Sequence, residues 1–371
     1  MIRIEAVTSK KEWMTFIKFP WRIYRGNPNW VPPLLLDMKK LLDPKKNPFF
    51  LHSKVDLFLA RRNGEVVGRV AAILNHNHND FHDERAVFFG FFETIPDPDV
   101  ATALLEQVED CGRKEGMSVI RGPMNFSTND TCAFLVEGFD SPPVVMMPYN
   151  PPYYIDLVEQ AGYTKAKDLY AYYMHQTTPL PPQVVEVSEK AARDEGLVIR
   201  SLNMKDFDRE LERVKRIYNV AWERNWGFVP MTDEEFEHMA RELKPVVDPD
   251  LVLFAEVHGE PAGFSLSLPN YNQILRKVNG RLLPFGIFRL LLERRKINGI
   301  RVLTLGVVPK FRRTRAIASS FYRRTYEVGT GKGYPWGEFS WVLEDNVLMN
   351  RALTRLGAQR YKTYRIYEKA L

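Results

Sequence analysis

Three arginines crowd the stretch Val307-Val-Pro-Lys-Phe-Arg-Arg-Thr-Arg-Ala-Ile-Ala-Ser-Ser, where an apolar run passes through a basic turn into a helix-forming segment. Such a turn binds anions. The N–H groups that open a helix lack intrahelical partners and the helix dipole adds partial positive charge, so main chain can hold a pyrophosphate while arginines neutralise its outer oxygens. Arg312, Arg313 and Arg315 are the candidates, with Arg323 and Arg324 one or two turns further on. The competing reading is a solvated basic loop before a surface helix. A second cluster, His76-Asn-His-Asn-Asp-Phe-His82, places His76 and His78 on one face of an extended strand. No second group at ligand spacing accompanies it, so a solvated hairpin loop is expected and no metal.

The elements around the arginines repeat in order. In the first half, Val55 to Ala60 and Val66 to Leu74 form a hairpin around Gly64, and Ala86 to Glu93 is an aromatic-rich strand. Pro96-Asp-Pro-Asp then starts an amphipathic helix that runs to Gly116. A strand from Ser118 to Arg121, a long loop from Gly122 to Pro152, a helix from Tyr154 to Ala161 and a strand from Asp168 to His175 follow. Thr177-Thr-Pro-Leu-Pro-Pro-Gln resists both helix and central strand and reads as a linker. The second half has a strand Leu197 to Ser201, a helix Met204 to Trp222, a hairpin Leu251 to Val257 with Gly263 to Leu268, and a strand Ile300 to Val307. A helix Ala316 to Thr330, a strand Trp336 to Leu343, a helix Asn346 to Arg355 and a strand Lys362 to Glu368 complete it. The shared order predicts a duplicated fold. Its parts are residues 1–176, a Pro-rich linker region 177–195, and residues 196–371.

Composition bounds what such a chain can be. It has 371 residues, 45% hydrophobic and 26% charged, enough for more than one core. Two cysteines, Cys111 and Cys132, exclude a disulfide framework and fit a reducing cytoplasm. No run approaches the ~18 apolar residues of a membrane span, and the N-terminus lacks the layout of a signal peptide. The net charge of +6 suits an anionic partner without choosing among a phosphorylated cofactor, a nucleic acid and a lipid surface. Leu282-Leu-Pro-Phe-Gly-Ile-Phe-Arg-Leu-Leu-Leu-Glu-Arg-Arg-Lys is apolar and then basic. It is expected to be a packed insertion with a charged end, the alternatives being a helix on an anionic membrane surface or a cover for a fatty acyl chain.

The arginine turn is similar to the acyl-coenzyme A motif of the GCN5-related N-acetyltransferases, in which Arg/Gln-x-x-Gly-x-Gly/Ala opens a helix. Arg313-Thr-Arg-Ala316-Ile-Ala318 matches, with Ala316 where the family usually has glycine and one extra residue after Phe311. Asn346-x-x-Met-x-x-x-Leu353-x-x-Leu-Gly357-Ala, followed by Tyr364-Arg-Ile-Tyr-Glu-Lys, resembles the family's Asn-containing helix and last strand. Leu353 stands where many relatives carry a tyrosine that returns a proton to the departing thiolate. The resemblance implies an α/β (α+β) fold of two tandem domains, each a mixed, mostly antiparallel sheet flanked by helices.

The same resemblance implies an acyl-coenzyme A dependent N-acyltransferase, with acetyl-coenzyme A or a longer thioester as co-substrate and a small-molecule or peptide amine as acceptor. The cofactor-binding set is then Val307, Val308, Arg312, Arg313, Arg315, Ala316, Ala318 and Ser319. Splayed central strands would offer the N–H of Val307 or Gly306 to the thioester carbonyl. Glu338 is the preferred proton acceptor over Glu256 and Glu344; Ser340, Asn346 and Tyr334 are further candidates. After the strand ending at Glu93, the first half carries Thr-Ile-Pro-Asp-Pro-Asp, an acidic turn that would repel a pyrophosphate. That half is expected to shape the acceptor cleft, with Asn125, Asn129, Asp130 and Glu137 as lining candidates. Trp222-Glu-Arg-Asn-Trp-Gly-Phe-Val-Pro resembles the family's helical lid, and its aromatics are expected to pack rather than to cover substrate.

Two other readings compete: a non-catalytic protein that binds acyl-coenzyme A or a metabolite, and an aminoacyl or peptidyl transferase using charged tRNA. Nothing in the sequence shows the basic-aromatic interleaving of an RNA-binding module, no DNA partner is expected, and monomer and homodimer stay equally open.

Overall fold

The computed structural model describes residues 1–194, 196–312 and 316–371. They pack into two units. The first is Met1–Leu169 with Ile274–Leu292 and Lys362–Leu371; the second is Tyr170–Gln273 with Glu293–Tyr361.

In chain order the first half contains β1 (Ile2–Ala6), α1 (Lys10–Lys18), α2 (Pro20–Ile23), α3 (Leu35–Leu41), β2 (Ser53–Arg62), β3 (Glu65–Asn75) and α4 (His76–His82). Then come β4 (Ala86–Thr94), α5 (Pro98–Lys114), β5 (Val119–Gly122), β6 (Phe134–Glu137), α6 (Tyr153–Gln160) and β7 (Thr164–His175). The first four strands pair antiparallel in sequence order, and β4 meets β5 in parallel. Helix α5 starts where expected: Asp97 accepts from the Val100 N–H and Pro98 takes the first turn, where its missing N–H costs nothing. Its Val100, Leu104, Leu105 and Val108 stripe closes the core over Phe58, Ala72, Val87 and Phe89.

The histidine cluster is a helix, not the expected loop. Asn75 caps α4 by accepting from His78 N, and His78 itself is buried, its Nε2 lying 3.1 Å from Glu84 Oε2. A cap the loop reading overlooked, with Phe88 under the ring, pulls the segment onto the sheet.

The remaining elements are α7 (Pro182–Asp194), β8 (Leu197–Ser201), α8 (Phe207–Trp222), α9 (Asp233–Leu243), β9 (Val252–Val257), β10 (Glu260–Pro269), α10 (Asn272–Val278) and α11 (Gly286–Glu293). They end with β11 (Gly299–Val307), α12 (Ala316–Gly331), β12 (Trp336–Leu343), α13 (Val347–Arg355) and β13 (Gln359–Ala370). Within the second unit, β8, β9, β10 and β11 pair antiparallel in order, β11 meets β12 in parallel, and β7 lies beside β12.

Most of the Pro-rich linker region is helix. Its prolines cluster before and at the first position of α7, where proline is tolerated, and Ser188 Oγ then meets Ser320 Oγ of α12 at 3.0 Å.

Two segments pack away from their own half of the sequence. Residues 362–371, the end of β13, pair antiparallel with β5 in the first unit, Tyr367 opposite Gly122 and Ala370 opposite Val119. Tyr172 and Met174 of β7 join Tyr322, Val342, Leu353, Leu356 and Ala358 in a core of the second unit.

The segment expected to be a packed insertion is anchored at its base. Trp21 Nε1 donates to Asn279 Oδ1 at 2.9 Å and Ile274 is buried, whereas α11 buries no residue. Periodicity alone does not reveal that none of these apolar side chains is buried.

Candidate active site

Strands β11 and β12 run together for four registered pairs, Gly299 with Trp336 to Val302 with Phe339, and then separate. Beyond the last pair, β11 keeps its antiparallel partner β10 through Gly263 opposite Val307. Val308 donates its N–H to the Ala262 carbonyl at 2.9 Å. Alternation along a strand therefore turns the N–H and C=O of Val307 the other way, towards the gap that β12 has left. Of the two backbone donors expected there, Val307 faces the gap and Gly306 faces β10.

Gly306 has a different task. A Cβ there would lie 2.1 Å from the Trp222 indole, so the glycine lets α8 close onto the strand. Trp222 in turn stacks on Tyr218, and Phe228 lies against Tyr218. Trp222 and Phe228 of the lid segment pack as expected.

Arg312 follows the gap directly. Its Nε donates to the Val307 carbonyl at 3.0 Å and its Nη2 to the Ala221 carbonyl at 2.6 Å, which ties the end of β11 to the end of α8 while the side chain stays exposed. Arg313 and Arg315 lie outside the described residues. Ala316 opens α12 with its methyl buried among Ala191, Leu253 and Phe321, so it packs into the core. Ala318 and Ser319 are half-buried on the same first turn. Arg323 and Arg324 are paired with acids, Arg323 with Glu189 and Glu327, and Arg324 with Glu327.

Ile300 of β11 and Phe339 of β12 face α12, as Gly329 beneath Ile300 and Tyr322 beside Phe339 show. Alternate residues take the opposite face, and there the interior is polar. Glu338 is fully buried (0% exposed), accepts a hydrogen bond from the Tyr361 hydroxyl on Oε2, and has no partner on Oε1 among the described residues. Arg301, opposite Glu338 in the register, is also buried; its Nε donates to Ser340 Oγ at 3.0 Å and its Nη2 to the Ser340 carbonyl at 3.2 Å. Thr304 Oγ1 is likewise buried without a partner among the described residues. Unpaired polar atoms are expensive to seal inside a sheet unless a water or a ligand meets them.

Glu338 and Ser340 thus stand together with Arg301 and Tyr361, which the sequence reading missed. Arg301 left a signal, a lone charge between Ile300 and Val302; Tyr361 left none. Asn346 is elsewhere, capping α13 by accepting from Met349 N at 3.2 Å. Glu256 is held by Arg200 at 2.8 Å, and Tyr334 lines a small apolar cavity with Ile300, Val302 and Tyr322 on the α12 side. Leu353 is fully buried in the core with Tyr172 and Tyr322.

The first unit repeats the splay and fills it. β4 and β5 pair at three positions, ending at Phe88 with Arg121. Past them Met124 N–H donates to the Phe89 carbonyl at 2.8 Å and Asn125 Oδ1 accepts from Phe91 N at 2.7 Å. A Cβ on Gly90 would meet the Met124 carbonyl oxygen at 2.1 Å, so the loop occupies the gap at van der Waals limit. Asn125 is spent on this closure, Asp130 bonds Ser127 at 3.1 Å, and Glu137 accepts from Thr363.

No family model matches the chain. It is 39% identical over 377 residues to a Caulobacter vibrioides protein named bacterial ceramide synthase, covering 100% of this chain and 98% of that one. It is 34% identical over 383 residues to protein YghO of Escherichia coli, covering 99% and 95%. Among solved structures, a tandem GNAT protein from the clavulanic acid biosynthesis pathway superposes with a TM-score of 0.57 at 12% identity, covering 100% of this chain and 98% of that one. The chain belongs to one family with the Caulobacter and Escherichia proteins, and its fold is that of the tandem GCN5-related N-acetyltransferases. A further GCN5-related N-acetyltransferase, from Sphaerobacter thermophilus, gives a TM-score of 0.50 at 15% identity over 85% of this chain and 80% of its own. The chain has the expected mixed, mostly antiparallel sheets flanked by helices. Among the described residues no helix is long and apolar enough to cross a membrane, and no group of three or more His, Cys, Asp or Glu residues is placed to hold a metal ion.

Proposed function

We propose that the protein is an N-acyltransferase that joins a fatty acyl group, carried as a coenzyme A thioester, to the amine of a long-chain amino alcohol. One observation carries the choice of acceptor, the end-to-end identity of 39% with the bacterial ceramide synthase of Caulobacter vibrioides. A ceramide is the amide of a fatty acid with a sphingoid base, so its synthesis is amine acylation. The polar cluster beside the β11–β12 gap supports the same chemistry.

The thioester carbonyl would lie against the Val307 N–H in the gap, a preorganised donor for the oxygen that becomes an oxyanion. The pantetheine arm would run along β11 towards the start of α12, where Val308, Ala316, Ala318, Ser319 and the arginines at 312, 313 and 315 follow in the chain. On the other face, Glu338 Oε1 is the acceptor for a proton from the substrate ammonium. The freed nitrogen attacks the carbonyl carbon, the N–C bond forms, and the C–S bond breaks as the tetrahedral intermediate collapses. A second proton passes from that nitrogen to the coenzyme A thiolate. This route needs no acid at position 353, where a leucine is packed in the core. Ser340 and Arg301 hold the strand and its charge in place; Asn346 acts through the helix it caps.

The test is an assay of purified protein with palmitoyl-coenzyme A and sphinganine, product read by mass spectrometry. N-palmitoyl product is expected, and Glu338→Gln should lower kcat by at least about 100-fold with thioester binding unchanged. Absence of product with long-chain and short-chain thioesters alike, despite measured thioester binding, would favour the non-catalytic reading.

A further inference from the structure

The segment after Gly280 is built unlike the rest of the surface. Its base is fixed: Leu35 N–H donates to the Gly280 carbonyl at 2.9 Å, and Arg276 Nη1 to the Pro28 carbonyl at 3.3 Å. From there five large apolar side chains stand in solvent within ten residues, Leu283 (77% exposed), Phe285 (80%), Phe288 (61%), Leu291 (56%) and Leu292 (76%). Scattered exposed leucines are ordinary, but a contiguous group of this kind marks an interaction surface. The charge along this stretch is mostly of one sign. Between Ile274 and Asn298 the chain carries Arg276, Lys277, Arg281, Arg289, Arg294, Arg295 and Lys296 against Glu293 alone. Arg281, Arg289 and the Arg294–Lys296 triplet are exposed.

We propose that residues 281–296 form a membrane-surface anchor that seats on a bilayer containing anionic lipids. The apolar side chains enter the boundary between headgroups and acyl chains, and the arginines meet lipid phosphates. The apolar run from Leu282 to Leu292 is far shorter than the ~20 residues a spanning helix needs, so the segment lies on the membrane. Charge complementarity selects the bilayer over a second copy of the chain. A two-fold contact through this patch would set its cations against themselves, whereas an anionic surface neutralises them. The proposal stands on the patch itself and not on the acyl-transfer reading.

The experiment is cosedimentation of the full chain with sucrose-loaded vesicles of phosphatidylcholine, with and without about one third phosphatidylglycerol, at low and high salt. Wild type is expected to pellet with the anionic vesicles and less so at high salt. Leu283→Ser/Phe285→Ser/Leu292→Ser should reduce the partition coefficient at least about tenfold with an unchanged melting temperature. Arg294→Gln/Arg295→Gln/Lys296→Gln should remove the preference for the anionic lipid. Equal partitioning of wild type and the serine variant, or no pelleting of wild type, overturns the proposal. So does a dimer in sedimentation velocity that the serine variant dissociates, with no vesicle binding.

Discussion

Glu338 and Arg301 are neighbours in register, both sealed from solvent; the carboxylate accepts from Tyr361 and the guanidinium donates to Ser340. Arginine is suited to this because its planar fork reaches a hydroxyl and a carbonyl of one residue at once. Arg301→Lys should cost about 1–3 kcal/mol, measured by urea unfolding. His78 offers a pH-dependent counterpart. Burial holds its pKa down, from 6.5 to about 4, against the opposing pull of Glu84. The unfolded chain therefore binds a proton over that interval which the folded chain refuses, and stability falls as pH drops from about 6.5 towards 4. The loss is at most about 3 kcal/mol. Chemical denaturation at stepped pH should show this slope in wild type and a flatter one in His78→Gln.

At the scale of elements, much was legible because local chemistry and tertiary need agree. β8 and β12 begin and end where apolar alternation does, and Asp97 and Asn346 mark helix starts that the structure confirms as caps. What stayed hidden depends on partners remote in sequence. The turn prolines before α7 concealed a helix, and nothing along Gly122 to Pro152 reveals that Met124 and Asn125 plug a gap between strands. The site was half readable for the same reason. Glu338 sits on a recognisable strand, but Tyr361 reaches it only through the fold. Helix α13 separates structure from chemistry: Leu353→Ala should destabilise by about 2–5 kcal/mol in thermal or urea unfolding and leave kcat at permissive temperature unchanged. Asn346→Ala should cost about 1 kcal/mol in the same measurement.

For the whole molecule, the end of β13 matters most. Tyr364, Ile366 and Tyr367 are buried at 1%, 0% and 0% exposure, and this strand is the partner of β5 in the first unit. Deleting residues 362–371 should abolish hydrogen-exchange protection in β5 and α6 while β8, β9 and β10 remain protected, as mass spectrometry of deuterated peptides can resolve. Retained protection in β5 would mean that its edge is stable alone. During synthesis the ribosome delivers β1 to β5 long before that partner. The nascent first unit must therefore wait with an open sheet edge while the entire second unit is being made, a window in which chaperone capture competes with edge-to-edge aggregation.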